Sequence, residues 1–238
     1  MIKNFHLKLL VSDQEGDNFF NEKDKFHPVG ASKLASVLGV GRYQSKNMLW
    51  NILAGRKKQK RFESSSARRG REEEPKSARF FSQLMGVRLY TIGTKCLPQD
   101  TRLCASPDRL FTNPYTKERE GLELKNPDTS PIPSKLESDM IQYLLQCILN
   151  MEVFEREYWH LFYYDRRTGE YSWFKIKRNK EFFNSYILRK VQKFFKSIEE
   201  GKEPPDRMKT GKRQKITDKI LGNHFIELLR YHPPELKI

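Results

Sequence analysis

The sequence predicts an α/β (α+β) fold, a central mixed sheet flanked by helices. Three observations carry this. The run Gly121-Leu122-Glu123-Leu124-Lys125 alternates apolar and charged residues with the period of a strand. Residues 134–151 place Leu136, Met140, Ile141, Leu144, Leu145 and Ile148 on one helical stripe. Downstream, EYWHLFYYD, the turn RRTG and EYSWFKIKR read as a β-hairpin.

Taken in order, residues 1–24 offer a short strand (MIKNFHLKLLV) and a polar loop. Ser32 then reads as the N-cap of a helix over 33–38, with Leu34, Val37 and Leu38 on one side. Gly39 and Gly41 break it. Ser45 caps a second helix carrying Leu49, Trp50, Ile52 and Leu53, which Gly55 stops. A serine at a helix start with Arg42 nearby also suits a phosphate, because free amides and a guanidinium converge there. Ordinary capping beside a surface arginine explains the same residues.

Residues 56–71 form a basic, serine-containing connector. It fits salt-sensitive contact with phosphates, a nuclear address, or a solvated loop. A helix is expected to open at Gly70, with Glu72, Glu73 and Glu74 in its first turn and Pro75 tolerated there. It continues through Ala78, Phe80, Phe81 and Leu84 to Gly86. One of those glutamates could instead reach a metal. Strands are expected over 87–91, 102–111 and 121–125, then the helix over 134–151, where Tyr143 and Gln146 border the apolar stripe. After the hairpin, Phe183, Ile187, Val191, Phe194, Phe195 and Ile198 mark another helix, ended by Gly201 and Pro204-Pro205. A basic segment leads into a last helix carrying Ile216, Ile220, Leu221, Phe225, Ile226 and Leu229. Its apolar face would close the domain or meet another subunit.

The chemistry concentrates at 106–127. Side chains two apart on a strand leave the same face, so Glu123 and Lys125 point together. If Asp108 lies on the neighbouring strand, with Tyr115 to Glu118 in the turn, two carboxylates and one ammonium share a small volume. Carboxylates that close repel unless a cation sits between them, and hard dications prefer oxygen ligands. A solvated strand with an ordinary ion pair would show the same residues.

Composition sets the bounds. The chain has 238 residues and a formal net charge of +15, which points to an acidic partner, nucleic acid first. Three scattered cysteines without a CxxC pair argue against a zinc site or a disulfide framework, and for a reducing compartment. No stretch is long enough to span a membrane and no signal-peptide pattern opens the sequence, so a cytoplasmic or nuclear location is expected.

In this order and spacing the pieces resemble the phage lambda-type exonucleases, the YqaJ-like viral recombinase family of the PD-(D/E)xK nucleases. The resemblance covers roughly residues 25–177. Its carriers are Gly30–Ser32, the helix from Gly70 to Glu74, Ser106-Pro107-Asp108, Gly121–Lys125, Tyr143-x-x-Gln146 and Tyr164-Asp165. It implies a restriction-endonuclease-like core within a single nuclease domain over 1–238: an N-terminal extension (1–24), a core (25–200) and a basic C-terminal helical appendage (201–238).

The resemblance further implies Mg²⁺, with Mn²⁺ as a substitute, held by Asp108, Glu123 and the main-chain carbonyl of Leu124. Glu74 would stand next to the metal, Lys125 would act on the attacking water, and Tyr143 and Gln146 would assist from the neighbouring helix. Ser32, Arg42, Ser106 and Lys25 match positions that grip phosphates. The family often has arginine where Lys25 stands, which leaves a 5′-phosphate preference open. The turn between Asp108 and Glu123 is longer than usual. Four cysteines would be needed for the iron–sulfur branch of CRISPR-associated nucleases.

The implied activity is 5′-to-3′ exonucleolytic hydrolysis at double-stranded DNA ends, in recombination or DNA processing. A single-strand annealing protein is an expected partner, and relatives occur as trimeric rings or as monomers. An endonuclease, or a nuclease that also cuts RNA, would use the same site. A non-catalytic basic DNA-binding protein would keep the carboxylates as structural groups.

Overall fold

The computed structural model describes residues 28–58, 65–126, 140–206 and 208–229. Two sheets organise them. A small sheet holds β1 (Val29–Gly30), β2 (Lys95–Leu97) and β3 (Asp100–Ala105) in the order β1-β3-β2, with β1 parallel to β3. The larger sheet runs β4 (Arg109–Thr112), β5 (Arg119–Lys125), β6 (Tyr158–Tyr164), β7 (Tyr171–Lys177) and β8 (Ile226–Leu229) in that spatial order. Within it β5 and β6 are parallel and the other pairs antiparallel. Parallel neighbours need a crossover, and α4 (Ile141–Phe154) lies between them in the chain.

Helices cover both faces of β5. The long helix α3 (Ser65–Met85) lays Ala78 and Phe81 against Leu122, Leu124, Phe162 and Trp173. On the other face, Leu144, Leu145 and Ile148 of α4 join Trp159, Leu161, Phe174 and Ile176 in a larger core. That core extends to α1 (Leu34–Leu38), α2 (Lys46–Leu53) and α6 (Arg189–Glu199), through Leu38, Trp50 and Phe195. Two shorter pieces, α5 (Lys180–Phe182) and a π-helical stretch over Phe183–Leu188, lead into α6. Gly121 pairs with Trp159, and the indole lies so close that a Cβ at 121 would clash with its ring.

The α3 face also buries a polar chain. Trp173 Nε1 donates to His160 Nδ1 at 2.6 Å, and His160 Nε2 lies 2.6 Å from Glu120 Oε2. An indole N–H can only donate, so Nδ1 accepts and Nε2 carries the proton given to Glu120. Lys175 Nζ and Asn113 Nδ2 donate to the other oxygen, Oε1, at 3.0 and 3.1 Å. Burial alone would raise the Glu120 carboxyl, yet the bonds from His160 and Lys175 hold it down at about 2. His160 is lowered, chiefly by burial.

Several expectations change. The stretch 102–111 is not one strand: it divides at Ser106-Pro107 between β3 in one sheet and β4 in the other, where proline removes a ladder donor. Residues 87–91 give only an isolated bridge from Tyr90 to Leu110. Helix α3 begins at Ser65, so Pro75 lies inside it and no acidic residue occupies its first turn. Pro75 is exposed, where the Arg71 carbonyl it fails to bond can meet water. Ser32 sits in a 3₁₀ turn over Ala31–Lys33 ahead of α1, and among the described residues no side chain caps either element. Ser45 does cap α2, accepting from Met48 N at 3.1 Å. The last helix, α7 (Thr210–Leu221), ends before Gly222; Ile226 to Leu229 leave it and pair with β7 as β8, so the C-terminal segment is not helical throughout. Ile216 and Ile220 are buried in the main core. The expected strand at the amino terminus lies outside the described residues.

Candidate active site

The site is built where β4 begins and β5 ends. Arg109 pairs with Leu122 across these strands, which sets Asp108 opposite Glu123. Asp108 Oδ2 accepts from the Leu124 N–H at 2.7 Å, fixing the aspartate against the backbone of β5. Glu123 is fully buried. Its Oε1 is hydrogen-bonded by the Lys125 ammonium, and its Oε2 lies 3.3 Å from Asn150 Nδ2 on α4. The alternation of Leu122, Glu123, Leu124 and Lys125 predicts a strand buried on one face, yet every residue from Glu120 to Leu124 is buried.

The electrostatics are unbalanced. Burial and the Asp108 charge push the Glu123 carboxyl up to about 8. Burial opposes charge on Lys125, but Glu123 and Asp108 outweigh it and keep the amine protonated. Asn150 Oδ1 is buried beside Glu123 with no hydrogen-bond partner among the described residues. Polar demand here exceeds what the side chains supply to one another. An all-oxygen donor set of Asp108, Glu123 and the Leu124 carbonyl therefore fits a hard dication.

Glu74 approaches from the other face. Alternation along β4 sends Arg109 toward α3, where its Nη1 donates to Glu74 Oε1 at 2.8 Å. Burial and Asp108 raise the Glu74 carboxyl. Among the described residues, no three His, Cys, Asp or Glu side chains are grouped closely enough to hold a metal. An ion would rest on Asp108 and Glu123, with Glu74 beyond them and tied to Arg109.

Helix α4 supplies the roof. The Lys125 ammonium lies 5.0 Å from the centre of the Tyr143 ring, and the Tyr143 hydroxyl is 3.4 Å from that of Tyr43. Burial, with the Tyr43 bond, pushes Tyr143 up to about 12. Gln146 is half-buried on the same helix, between Tyr143 and Asn150. Ser32 and Arg42 line one small cleft together with Tyr43 and Gln142. Ser106 is exposed just ahead of Asp108 and does not line that cleft. Lys25 lies outside the described residues.

Sequence reasoning missed Asn150, Arg109, Tyr43 and Gln142. Asn150 was within reach, being four residues after Gln146 and seven after Tyr143, on the same side of α4. Arg109 follows from alternation once Asp108 is placed.

The model of the YqaJ-like viral recombinase domain matches residues 21–157, more than half of the chain. The chain belongs to this family. No curated protein matches its sequence. Among solved structures it is similar to an alkaline exonuclease from Laribacter hongkongensis, with TM-score 0.58 and 19% identity, over 83% of this chain and 95% of that one. The same values hold for that exonuclease in complex with dAMP. A phage-related exonuclease from Haemophilus somnus 129PT gives TM-score 0.52 and 13% identity, over 83% and 96%. The shared architecture is the PD-(D/E)xK fold, and in this YqaJ-like chain Asp108, Glu123 and Lys125 come together where β4 and β5 meet.

Proposed function

We propose that this YqaJ-like protein is a Mg²⁺-dependent deoxyribonuclease, acting 5′ to 3′ from double-stranded DNA ends. The observation that carries the reading is the Asp108–Glu123 pair, with Glu123 buried and Lys125 against it. Two carboxylates held this close gain from a dication between them, and membership in the YqaJ-like family supports a nuclease reading of the chain. Mg²⁺ held by Asp108, Glu123 and the Leu124 carbonyl would acidify water and neutralise charge on the phosphate being cut.

The protein's own groups do the rest. Lys125, kept protonated, orients the nucleophile and stabilises negative charge on the phosphate, a matter of placement and electrostatics. Asn150 holds the Glu123 carboxylate from α4. Tyr143 fixes Lys125 from above, and Gln146 on the same helix faces the entering water. Arg109 restrains Glu74 near the site. Ser32 and Arg42, which share one cleft, grip the terminal phosphate, while Ser106 and Lys25 come into the reading only through the family resemblance; the charge of +15 draws the polyanion in. The domain division into extension, core and basic appendage, and a recombinase partner that anneals single strands, belong to the same reading.

The test is digestion of end-labelled linear duplex, with closed circular DNA and RNA as controls. Linear duplex should shorten only with Mg²⁺ or Mn²⁺ present, faster from a 5′-phosphate than from a 5′-hydroxyl. Rapid cutting of circles would replace the exonuclease by an endonuclease. Degradation that persists in Asp108→Ala would move the site elsewhere.

A further inference from the structure

A second opening lies across β5 from the carboxylate pair. A cavity of about 560 Å³ is lined by Arg69, Glu73, Asn126, Tyr164, Arg166 and Arg167, among others. Its floor continues the candidate site, because Asn126 follows Lys125 directly. Alternation turns Asn126 toward α3, where its Nδ2 donates to the Gly70 carbonyl at 3.0 Å and its Oδ1 accepts from Ser77. The end of β5 thus parts the carboxylate site from this arginine-lined cleft, one on each side of the sheet.

The walls of this cavity are braced. Buried Asp165 accepts from the Arg167 main-chain N–H, Nε and Nη2 at 2.9, 3.2 and 3.0 Å, which stiffens the turn between β6 and β7. Arg166 Nη1 reaches across to both carboxylate oxygens of Glu73, at 3.0 and 3.1 Å, and ties that turn to α3. Tyr164 stacks on Phe80 with ring centres 4.4 Å apart, so its ring is fixed as well. The lining brings together three guanidinium groups, those of Arg69, Arg166 and Arg167, with the carboxylates of Glu73 and Asp165. The volume is in the range of sites for small organic ligands and far too small for a duplex. Arginines beside a fixed aromatic ring are the usual combination for a single polynucleotide strand.

We infer that this cleft holds the strand that is not cut, taking its phosphates on Arg69 and Arg167 beside Tyr164, while the strand to be cut enters on the Asp108–Glu123 side. The inference rests on the nuclease reading for the meaning of the two sides, and the binding itself is measurable without cleavage. In EDTA, fluorescence anisotropy would compare a blunt duplex with the same duplex carrying a 3′ single-stranded tail. The intact protein should bind the tailed duplex more tightly. Arg69→Glu, on an exposed position of α3, should cut the ratio of tailed to blunt affinity about tenfold and lower the salt slope for the tail by about 0.7. A 4-thiothymidine in the tail should crosslink to the peptide containing Tyr164, an outcome that needs no substitution. An unchanged ratio in Arg69→Glu, or crosslinks that avoid this peptide, would overturn the inference. Asp108→Ala should keep the tail preference, so a failure of the nuclease reading shows up in digestion and not here.

Discussion

β5 carries two buried glutamates three residues apart, one on each face, and they live in opposite conditions. Glu120 faces α3 and receives hydrogen bonds from His160, Lys175 and Asn113, and against its burial His160 and Lys175 hold its carboxyl down at about 2. Glu123 faces α4 beside Asp108, and burial with that neighbouring charge pushes its carboxyl up to about 8. Both have ammonium partners, Lys175 and Lys125. What separates them is the rest of the shell: donors around Glu120, a second carboxylate beside Glu123. A satisfied buried carboxylate is structure, whereas one that would gain from a further cation is a candidate site.

The largest effect should come from the Glu123 side. Asp108→Ala or Lys125→Ala is expected to reduce Mg²⁺-dependent digestion by about 10³-fold or more, with the circular dichroism spectrum unchanged. Glu120→Ala should do the reverse. It strands Lys175 and His160 in the interior and should cost about 3–5 kcal/mol in urea unfolding. Activity at a temperature where that variant stays folded should survive, and its loss there would erase the distinction between the faces.

Gly121→Ala probes the packing between the two glutamates. The added methyl would press on Trp159 and should cost about 1–3 kcal/mol by the same assay. The smallest effect is a slope. Glu120 has a lower pKa folded than the ordinary glutamate value of about 4.3, so the unfolded chain binds the proton more readily. Its stabilisation is complete above about pH 5 and is lost as pH falls toward 2. The urea midpoint of Glu120→Gln should therefore fall less between those pH values than that of the unchanged protein.

Much of the candidate site was legible because it depends on a period of two. Leu122, Glu123, Leu124 and Lys125 show which side chains share a face, and Asp108 needs only a neighbouring strand. The hairpin over β6 and β7 and the Ser45 cap were legible for the same reason: local rules decide them. Where partners are distant, the sequence was mute. Nothing local says that Ser106-Pro107 sends the chain from one sheet to another. Helical spacing of Ile216, Ile220 and Leu221 ran on into Phe225 and Ile226, and the Gly222-Asn223 stop between them was passed over. Pro75 looked like a helix start, although α3 reaches back to Ser65. The chain of Trp173, His160 and Glu120 joins three strands and has no signature in any one of them. Asn150 reads as an ordinary helix residue until Glu123 is set beneath it.

The opposed glutamates also give β5 a single reading frame. Were the strand to slide by one residue against β4 and β6, Glu123 and Lys125 would swing into the aromatic layer around Phe81, and Leu122 and Leu124 would turn to the side where Asp108 waits. Each misaligned carboxylate would be buried without donors. Slippage is thus opposed by charge on both sides of the sheet, and the groups proposed to cut DNA also keep the central strand in step.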